Sequence, residues 1–217
     1  MISQAEENYL KAIFKITERD SKAASTNAVA AAMNTAAASV TDMLKRLAAK
    51  DLVHYEKSRG VTLTTEGSHE ATKLIRGHRI WEVFLCERLG YSWDECHDLA
   101  EQLEHIQSRT LVDRMDTFLG KPKFDPHGDP IPDSKGRIKK TETQKLIELN
   151  EKKEATVNLV SDQPELLRYL SKIGIALGSK LKVLEKISFD NSMLLQIDGK
   201  TKVQISADIA KNISVQL

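Results

Sequence analysis

The chain has 217 residues, with 32 Lys and Arg against 31 Asp and Glu, a formal net charge of +1 and 41% hydrophobic residues. This length supports two or three domains with a hydrophobic core and excludes any need for a disulfide framework. The balanced charge does not by itself indicate nucleic acid. The first residues lack a signal-peptide pattern, and no apolar run approaches 18 residues. The two cysteines fit a reducing compartment, so we expect a cytoplasmic protein with no membrane association.

The N-terminal segment predicts an amphipathic helix. Ser3 and Glu6 have the spacing of a capping box, and apolar residues continue at helical spacing to Arg19. On this helix we expect Asn8 to lie beside the apolar stripe and Lys11 to point elsewhere.

Residues 25–64 predict the rest of a winged helix-turn-helix. A short alanine-rich helix ends near Asn34, and after a tight turn a third helix runs to Lys50. Two short strands, 52–57 and 61–64, follow as a hairpin. The alternative is a generic small α/β domain. In the winged motif the last helix enters the major groove of double-stranded DNA. We expect base-edge contacts from Ser39, Thr41 and Asp42, and phosphate contacts from Lys45, Lys57 and Arg59.

The next two predicted helices carry imidazoles and carboxylates. One helix runs from Thr65 to Leu89, and a second opens at Ser92 and continues through residue 106. One face of the first helix holds His78 and Glu82, and one face of the second holds His97, Glu101, Glu104 and His105. Such nitrogen and oxygen donors suit a divalent first-row metal, although a solvated polar face is the alternative. A further apolar helix over 110–119 indicates a homodimer, because a helix-turn-helix usually reads two half-sites.

The C-terminal part changes character. Residues 120–140 are rich in Pro, Gly and Asp and predict an ordered strap or a linker, and 141–153 predict a charged tether. Beyond them a helix over 164–172 interrupts alternating strands, which predict a small, partly closed β-barrel. These strands cover 155–160, 180–187, 193–197 and 213–217.

Several strings, taken in this order, resemble the family of metal-dependent bacterial repressors that contains the diphtheria toxin repressor and the manganese transport regulators. They are Glu7-Asn8-Tyr9-Leu10, Ser39-Val40-Thr41-Asp42-Met43-Leu44, Gly77-His78-Arg79, the segment from His97-Asp98 to Glu104-His105, and His127-Gly128-Asp129-Pro130-Ile131-Pro132. The resemblance covers nearly the whole chain and implies that the C-terminal barrel is an SH3-like domain.

The resemblance implies two metal sites. By position, the primary regulatory site would use Asn8, Glu101, Glu104 and His105. The second site would use His78, Glu82 and His97. Its remaining ligands would come from the SH3-like domain, at Asp162 and Glu165, or from the strap, at Asp125 and His127, and the resemblance leaves this choice open.

The chain departs from the family pattern at three positions. Asn8 stands where iron-type relatives have Met and manganese-type relatives have Asp, and Glu101 replaces the iron-type Cys. Lys11 stands where two-domain manganese regulators have a second carboxylate, which argues against a close binuclear pair. Amide oxygen, carboxylates and imidazole are hard donors, so we expect Mn(II) as the cofactor, with Fe(II) as the alternative.

Together these observations predict a mainly α protein with small β parts. We expect a winged helix-turn-helix over 1–70, a helical dimerisation and metal-binding domain over 71–140, a linker over 141–154 and an SH3-like, FeoA-like domain over 155–217. The predicted function is that of a homodimeric repressor that binds operator DNA when metal is its co-repressor. An enzyme of the metal-dependent hydrolase or oxidase class is the alternative, but the chain has no HExxH motif and no nucleophile elbow, and we expect no small organic substrate. A metal-buffering protein without DNA contact is a third class.

Overall fold

The structure is a computed structural model that describes residues 2–106, 108–139 and 141–217, apart from the side chain of Arg109. Lys140, the last residue of the predicted helical domain, lies outside these residues. The chain forms two compact units. The first comprises Met1–His78, Leu103–Asp113 and Pro132–Ile138, and the second comprises Arg79–Gln102, Arg114–Ile131 and Lys139–Leu217.

The first unit begins with three helices and a hairpin. These are α1 (Gln4–Asp20), α2 (Thr26–Ala32), α3 (Ala37–Ala49), β1 (Val53–Glu56) and β2 (Gly60–Leu63). The two strands pair antiparallel, and Ala24 extends the pairing through backbone hydrogen bonds with Val61. Leu10, Ile13 and Leu44 are fully buried where the helices pack together. The predicted winged helix-turn-helix is therefore confirmed.

Three further helices are divided between the two units. They are α4 (Thr65–Leu89), α5 (Cys96–Leu103) and α6 (Arg109–Phe118). In the first unit α4 packs closely on the turn before β1, because a Cβ at Gly67 would overlap the carbonyl group of Leu52. No helix in the described part of the chain combines the length and the apolar composition that crossing a bilayer requires.

The second unit is built on a six-stranded antiparallel sheet with the strand order β3-β8-β4-β5-β6-β7. Its strands are β3 (Gln144–Lys145), β4 (Glu154–Val160), β5 (Lys180–Lys186), β6 (Met193–Ile197), β7 (Thr201–Ile205) and β8 (Ile213–Gln216). The helices α7 (Pro164–Ile173) and α8 (Ala207–Lys211) close its core, in which Leu167, Leu181 and Ile213 are fully buried. Register shifts in β4 and β5 bend the sheet, as expected for a small SH3-like fold.

The structure corrects the interpretation of residues 141–154 as a linker. β3 pairs with β8, and the 3-10 turn Leu146–Glu148 follows it directly. Leu146 and Leu149 are buried in the core of the sheet, so this charged segment contributes two apolar anchors. β7 and α8 were not predicted from the sequence.

Candidate functional site

The start of α1 is held in place by a network around Glu6. Ser3 and Glu6 form the predicted capping box. Lys50, at the end of α3, donates a hydrogen bond of 2.6 Å to Oε1 of Glu6. This bond lowers the pKa of Glu6, so that the carboxylate stays charged. These contacts fix the N-terminal end of α1, where Glu7 and Asn8 follow Glu6 directly.

In the first unit, α1 meets the segment after α5 through two contacts between charged or ionisable groups. Glu7 Oε2 lies 2.7 Å from Nδ1 of His105, and Lys11 Nζ lies 2.7 Å from Oε2 of Glu104. His78, on α4, brings Nδ1 to 2.7 Å from the same Glu104 oxygen. Asn8 lies on α1 between the two residues that make these contacts.

The hydrogen bonding of His105 leaves one ring nitrogen for coordination. When Nδ1 donates its proton to Glu7, the neutral ring carries its lone pair on Nε2. That nitrogen lies 3.8 Å from Oε1 of Glu104. Two ligand atoms at this separation can both reach one ion after a small inward movement, because bonds from nitrogen and oxygen to such ions are about 2.0–2.2 Å long.

Two buried oxygens beside this pair lack a hydrogen bond. Among the described residues, Oδ1 of Asn8 and Oε1 of Glu104 are buried and have no hydrogen-bond partner. Buried polar atoms rarely lack a hydrogen bond, because each unsatisfied atom destabilises the fold by about 1–3 kcal/mol. An amide oxygen, a carboxylate oxygen and an imidazole nitrogen together fit a hard divalent cation.

Two expectations about this region were wrong. Lys11 does not point elsewhere: it is buried and paired with Glu104. The helix that holds Glu101 ends at Leu103, so Glu104 and His105 lie on a turn and not on a continuous helical face. The reason is local. The side-chain oxygen of Ser108 accepts the backbone N–H of Leu111 and caps the start of α6. α5 must therefore end before Ser108.

The second unit contains a separate cluster of imidazoles and carboxylates. Glu82 Oε1 lies 3.0 Å from Nδ1 of His97 and 3.6 Å from Nδ1 of His127. Asp162 Oδ2 lies 3.7 Å from Nδ1 of His97. His127 donates from Nε2 to the carbonyl oxygen of Trp93 at 2.7 Å, so the lone pair of its neutral ring is on Nδ1, the nitrogen nearer Glu82.

The strap that carries His127 is organised by Asp125 and Arg79. Oδ1 of Asp125 accepts the backbone N–H groups of His127 and Asp129, and Oδ2 lies 3.4 Å from Nε of Arg79. Burial and the nearby charge of Glu82 raise the pKa of Asp125 well above its usual range. The backbone of His127 accepts the N–H of Val160, which fastens the strap to β4.

Other predicted ligands have different surroundings. Glu165 lies in the first turn of α7 with an 84% exposed side chain, 3.3 Å from Arg168, so the structure does not bring it to the cluster. Asp125 is engaged within its own loop. Glu101 belongs to the second unit, where its carboxylate lies 3.8 Å from Nε2 of His97.

The two cysteines lie at the edge of this cluster. Cys96 opens α5 immediately before His97, and its thiol and that of Cys86 on α4 both donate to the turn between the two helices. The interaction with Cys96 lowers the pKa of the Cys86 thiol. The same interaction, together with burial, raises the pKa of Cys96.

The residues predicted to contact DNA lie at the surface of the first unit. All except Thr41 are exposed; Thr41 is half-buried, and its hydroxyl donates to the carbonyl oxygen of Ala37. Asp42 and Lys45 on α3 are 3.6 Å apart, and Arg59 lies 3.4 Å from Glu56 in the hairpin. The exposed group comprises Ser39, Asp42, Lys45, Lys57 and Arg59.

Glu7, Lys11 and Arg79 shape these sites, and this role was not predicted from the sequence. The i, i+4 spacing of Glu7 and Lys11, with Asn8 between them, was an available signal, because it places all three on neighbouring parts of α1. No local pattern indicates that Arg79 binds the strap through Pro130 and Asp129, about 50 residues later.

Comparisons with known proteins agree with this architecture. Residues 1–61 match the DNA-binding domain of the iron dependent repressors, 64–133 match their metal binding and dimerisation domain, and 144–217 match the FeoA domain. The chain is 30% identical to the HTH-type transcriptional regulator MntR of Oceanobacillus iheyensis, over 64% of this chain and 91% of that protein. It is 24% identical to the iron-dependent repressor IdeR of Mycobacterium leprae, over 97% and 96% of the two chains.

Among solved structures, a manganese-dependent transcriptional repressor in complex with manganese superposes with a TM-score of 0.89. It shares 36% identity with this chain, and the match covers 97% of this chain and 98% of that one. The expected fold class and the family resemblance are both confirmed. This chain belongs to the family of metal-dependent transcriptional repressors that includes the diphtheria toxin repressor, IdeR and MntR.

Proposed function

We propose that this chain is a transcriptional repressor whose homodimer binds double-stranded operator DNA of metal-homeostasis genes when a divalent cation is bound. The observation that carries the proposal is the arrangement at His105 and Glu104. A lone-pair nitrogen faces a buried carboxylate oxygen that has no hydrogen-bond partner, at a distance of 3.8 Å. Asn8 supplies a second such oxygen from α1.

Asn8, Glu104 and His105 of the first unit would hold the primary cation. When bound, the cation supplies positive charge that neutralises the carboxylate and links α1 to the turn after α5. Glu7 orients the ring of His105 through a hydrogen bond. Lys11 partly neutralises the charge of Glu104 through Oε2, which leaves Oε1 for the cation. α1 also packs against α2 and β2 of the DNA-binding domain, so its position sets that of the recognition surface.

A second cation would be held by Glu82, His97, His127 and Asp162. The family resemblance left open whether the SH3-like domain or the strap completes this site. The proposed set takes Asp162 from the SH3-like domain and His127 from the strap. His78, which was also predicted for this site, lies in the first unit, where its Nδ1 is 2.7 Å from Oε2 of Glu104. Neither Asp125 nor Glu165 has an oxygen directed to this cluster in the described structure.

Mn(II) is the cofactor that we propose, with Fe(II) as the alternative. The primary set offers an amide oxygen, a carboxylate and an imidazole, and the second set offers two carboxylates and two imidazoles. The oxygen donors of both sets suit Mn(II). The solved relative with 36% identity contains manganese, whereas IdeR is named as iron-dependent. Fe(II) accepts the same ligands, so selection in the cell must also depend on metal availability.

The DNA contacts follow from the surface of the first unit. Ser39, Thr41 and Asp42 would contact base edges from α3, whereas Lys45, Lys57 and Arg59 would contact phosphates. Because its target is operator DNA, we place the protein in the cytoplasm. We expect no membrane association, no small organic substrate and no enzymatic turnover, and the comparisons give no support to the hydrolase or oxidase alternative.

The test measures fluorescence anisotropy of a duplex selected from random sequence by the Mn(II)-loaded protein. We expect tight binding with Mn(II) and a loss of at least tenfold in affinity with chelator. Glu104→Gln keeps the size of the side chain and should abolish the response to Mn(II), whereas the exposed Glu165→Gln should respond like the native protein. Equal binding with Mn(II) and with chelator would contradict the proposal, and metal-dependent hydrolysis or peroxide turnover would favour the enzyme class.

A further inference from the structure

The two cysteines of the chain form a contacting pair between α4 and α5. Both residues are free cysteines, and the backbone N–H of Cys96 donates at 3.2 Å to the carbonyl oxygen of Ser92, the same oxygen that the Cys86 thiol approaches. Each thiol also donates to the backbone of the turn that joins the two helices. Cys86 Sγ lies 3.8 Å from the carbonyl oxygen of Ser92, and Cys96 Sγ lies 3.5 Å from that of Trp93. The two sulfurs therefore meet over one short turn.

The two thiols differ in access. Cys86 is half-buried near the solvent-exposed end of α4, whereas Cys96 is fully buried. A small oxidant can reach the first sulfur, and the second is held against it as a neighbour. A reactive and a resolving thiol have this arrangement in redox-sensitive proteins.

The pair touches the cation cluster of the second unit. The carbonyl oxygen of Trp93 accepts hydrogen bonds both from Cys96 and from Nε2 of His127. Cys96 Sγ also lies within 4.8 Å of ligand atoms of Glu82 and His127. Any movement of Cys96 must therefore change the surroundings of both cluster residues.

We propose that Cys86 and Cys96 are an oxidisable pair that a hydroperoxide converts into a disulfide, and that this disulfide weakens cation binding at Glu82, His97 and His127. The Cys86 thiolate attacks one oxygen of hydrogen peroxide, so that an S–O bond forms and the O–O bond breaks, and the hydroxide that leaves takes up a proton to form water. Cys96 sulfur then attacks the resulting sulfenic acid. The S–S bond forms, the S–O bond breaks, and a second water leaves with the Cys96 proton. The thiols lose two electrons, and the peroxide gains them.

The disulfide acts on the cluster through the same turn. Cys96 no longer has a proton to donate to Trp93, and the S–S bond draws the start of α5 toward α4. His97 follows Cys96 directly, so its ring moves relative to Glu82. A cation binds tightly only when its ligand atoms lie within a few tenths of an ångström of the usual bond lengths. The second half of the inference therefore rests on the proposed function, whereas formation of the disulfide does not.

The test for the disulfide uses the full chain in metal-free buffer, treated with hydrogen peroxide, blocked with N-ethylmaleimide and mapped by mass spectrometry. We expect a Cys86–Cys96 linked peptide that dithiothreitol removes. Cys96→Ser should instead leave a sulfenic acid on Cys86 that dimedone traps. Two alkylated cysteines after peroxide, or oxidation of each without a link between them, would overturn the proposal.

The test for the coupling counts bound Mn(II) by electron paramagnetic resonance. Oxidised native protein should bind the second Mn(II) at least tenfold more weakly than reduced protein. The double variant Cys86→Ser with Cys96→Ser should show no change after the same treatment, and circular dichroism checks its fold. Identical isotherms for oxidised and reduced protein would overturn the coupling. Failure of the reduced protein to bind Mn(II) at all would contradict the proposed function and would leave the disulfide result standing.

Discussion

The ammonium group of Lys11 lies 2.7 Å from Oε2 of Glu104, and both side chains are buried. The contact joins residues that are 93 positions apart in the chain. A carboxylate proposed to bind a cation is thus already paired with a cation that the protein itself provides. Before any metal binds, α1 and the turn after α5 are held together by this ion pair and by the hydrogen bond between His105 and Glu7.

Lys11→Met should destabilise the metal-free protein and increase its stabilisation by Mn(II). The variant keeps the length of the side chain but leaves the buried Glu104 without its ammonium partner, which costs about 3–5 kcal/mol. Bound Mn(II) restores a positive charge at the carboxylate, so the rise in Tm on adding Mn(II) should exceed that of the native protein. Thermal unfolding with and without Mn(II) measures both effects. The exposed Lys15→Met is the control, and an unchanged Tm of metal-free Lys11→Met would contradict the assigned role.

Asp162→Asn should weaken the second Mn(II) site, whereas Glu165→Gln should not. Asp162 lies 3.7 Å from His97, and Glu165 is exposed beside Arg168. Each substitution removes one negative charge at nearly constant size, so the pair forms a matched comparison. Electron paramagnetic resonance of Mn(II) titrations should show two ions per native chain and an affinity loss of at least tenfold for one of them in Asp162→Asn. An equal effect of the two substitutions would show that the ligand assignment is wrong.

Arg59→Ala should weaken binding to every DNA sequence and reduce its dependence on salt. The side chain is 80% exposed at the tip of the hairpin, where it is suited to contact a phosphate. Loss of one phosphate contact lowers the slope of log K against log salt by about 0.9. Anisotropy titrations at several salt concentrations measure this slope. Lys200→Ala, in the exposed turn between β6 and β7, should leave the slope unchanged, and an unchanged slope in Arg59→Ala would exclude a phosphate contact.

Gly128→Ala should destabilise the strap much more than Gly199→Ala destabilises the β6–β7 turn. Both glycines have positive φ angles, of 96° and 71°. A Cβ at Gly128 would overlap the carbonyl group of Asn158 on β4, whereas one at Gly199 would meet no atom within 4 Å. Gly199→Ala therefore incurs only the strain of its conformation, about 1–2 kcal/mol. Chemical denaturation measures the difference, and similar losses of stability would contradict the close packing of the strap on β4.

Much of the fold could be predicted from the sequence, because helical spacing and caps are local. The capping box of Ser3, the wing and the strands β4 to β6 were all recognised in this way. β7 was missed because its outward side chains are polar, and its place depends on pairing with β6. Leu146 and Leu149 were missed because two apolar residues in a charged segment do not reveal the core that receives them.

The candidate site was harder to predict than the fold. Residue types and a family resemblance indicated Asn8, Glu104 and His105, but not the partners that orient them. Lys11 contacts Glu104 only after the whole first unit has folded, and no periodicity contains that information. The end of α5 at Leu103 likewise depends on the cap of the following helix, which the helical spacing of the apolar residues does not show.

The central claim is that cation binding and DNA binding are coupled through the contact between α1 and the turn after α5. The most direct measurement is the affinity for Mn(II), determined by electron paramagnetic resonance with and without a saturating amount of the selected duplex. Coupling is reciprocal, so a coupling of 1–3 kcal/mol predicts that DNA tightens Mn(II) binding about 5–150-fold. Identical Mn(II) affinities in the presence and absence of DNA would contradict the account.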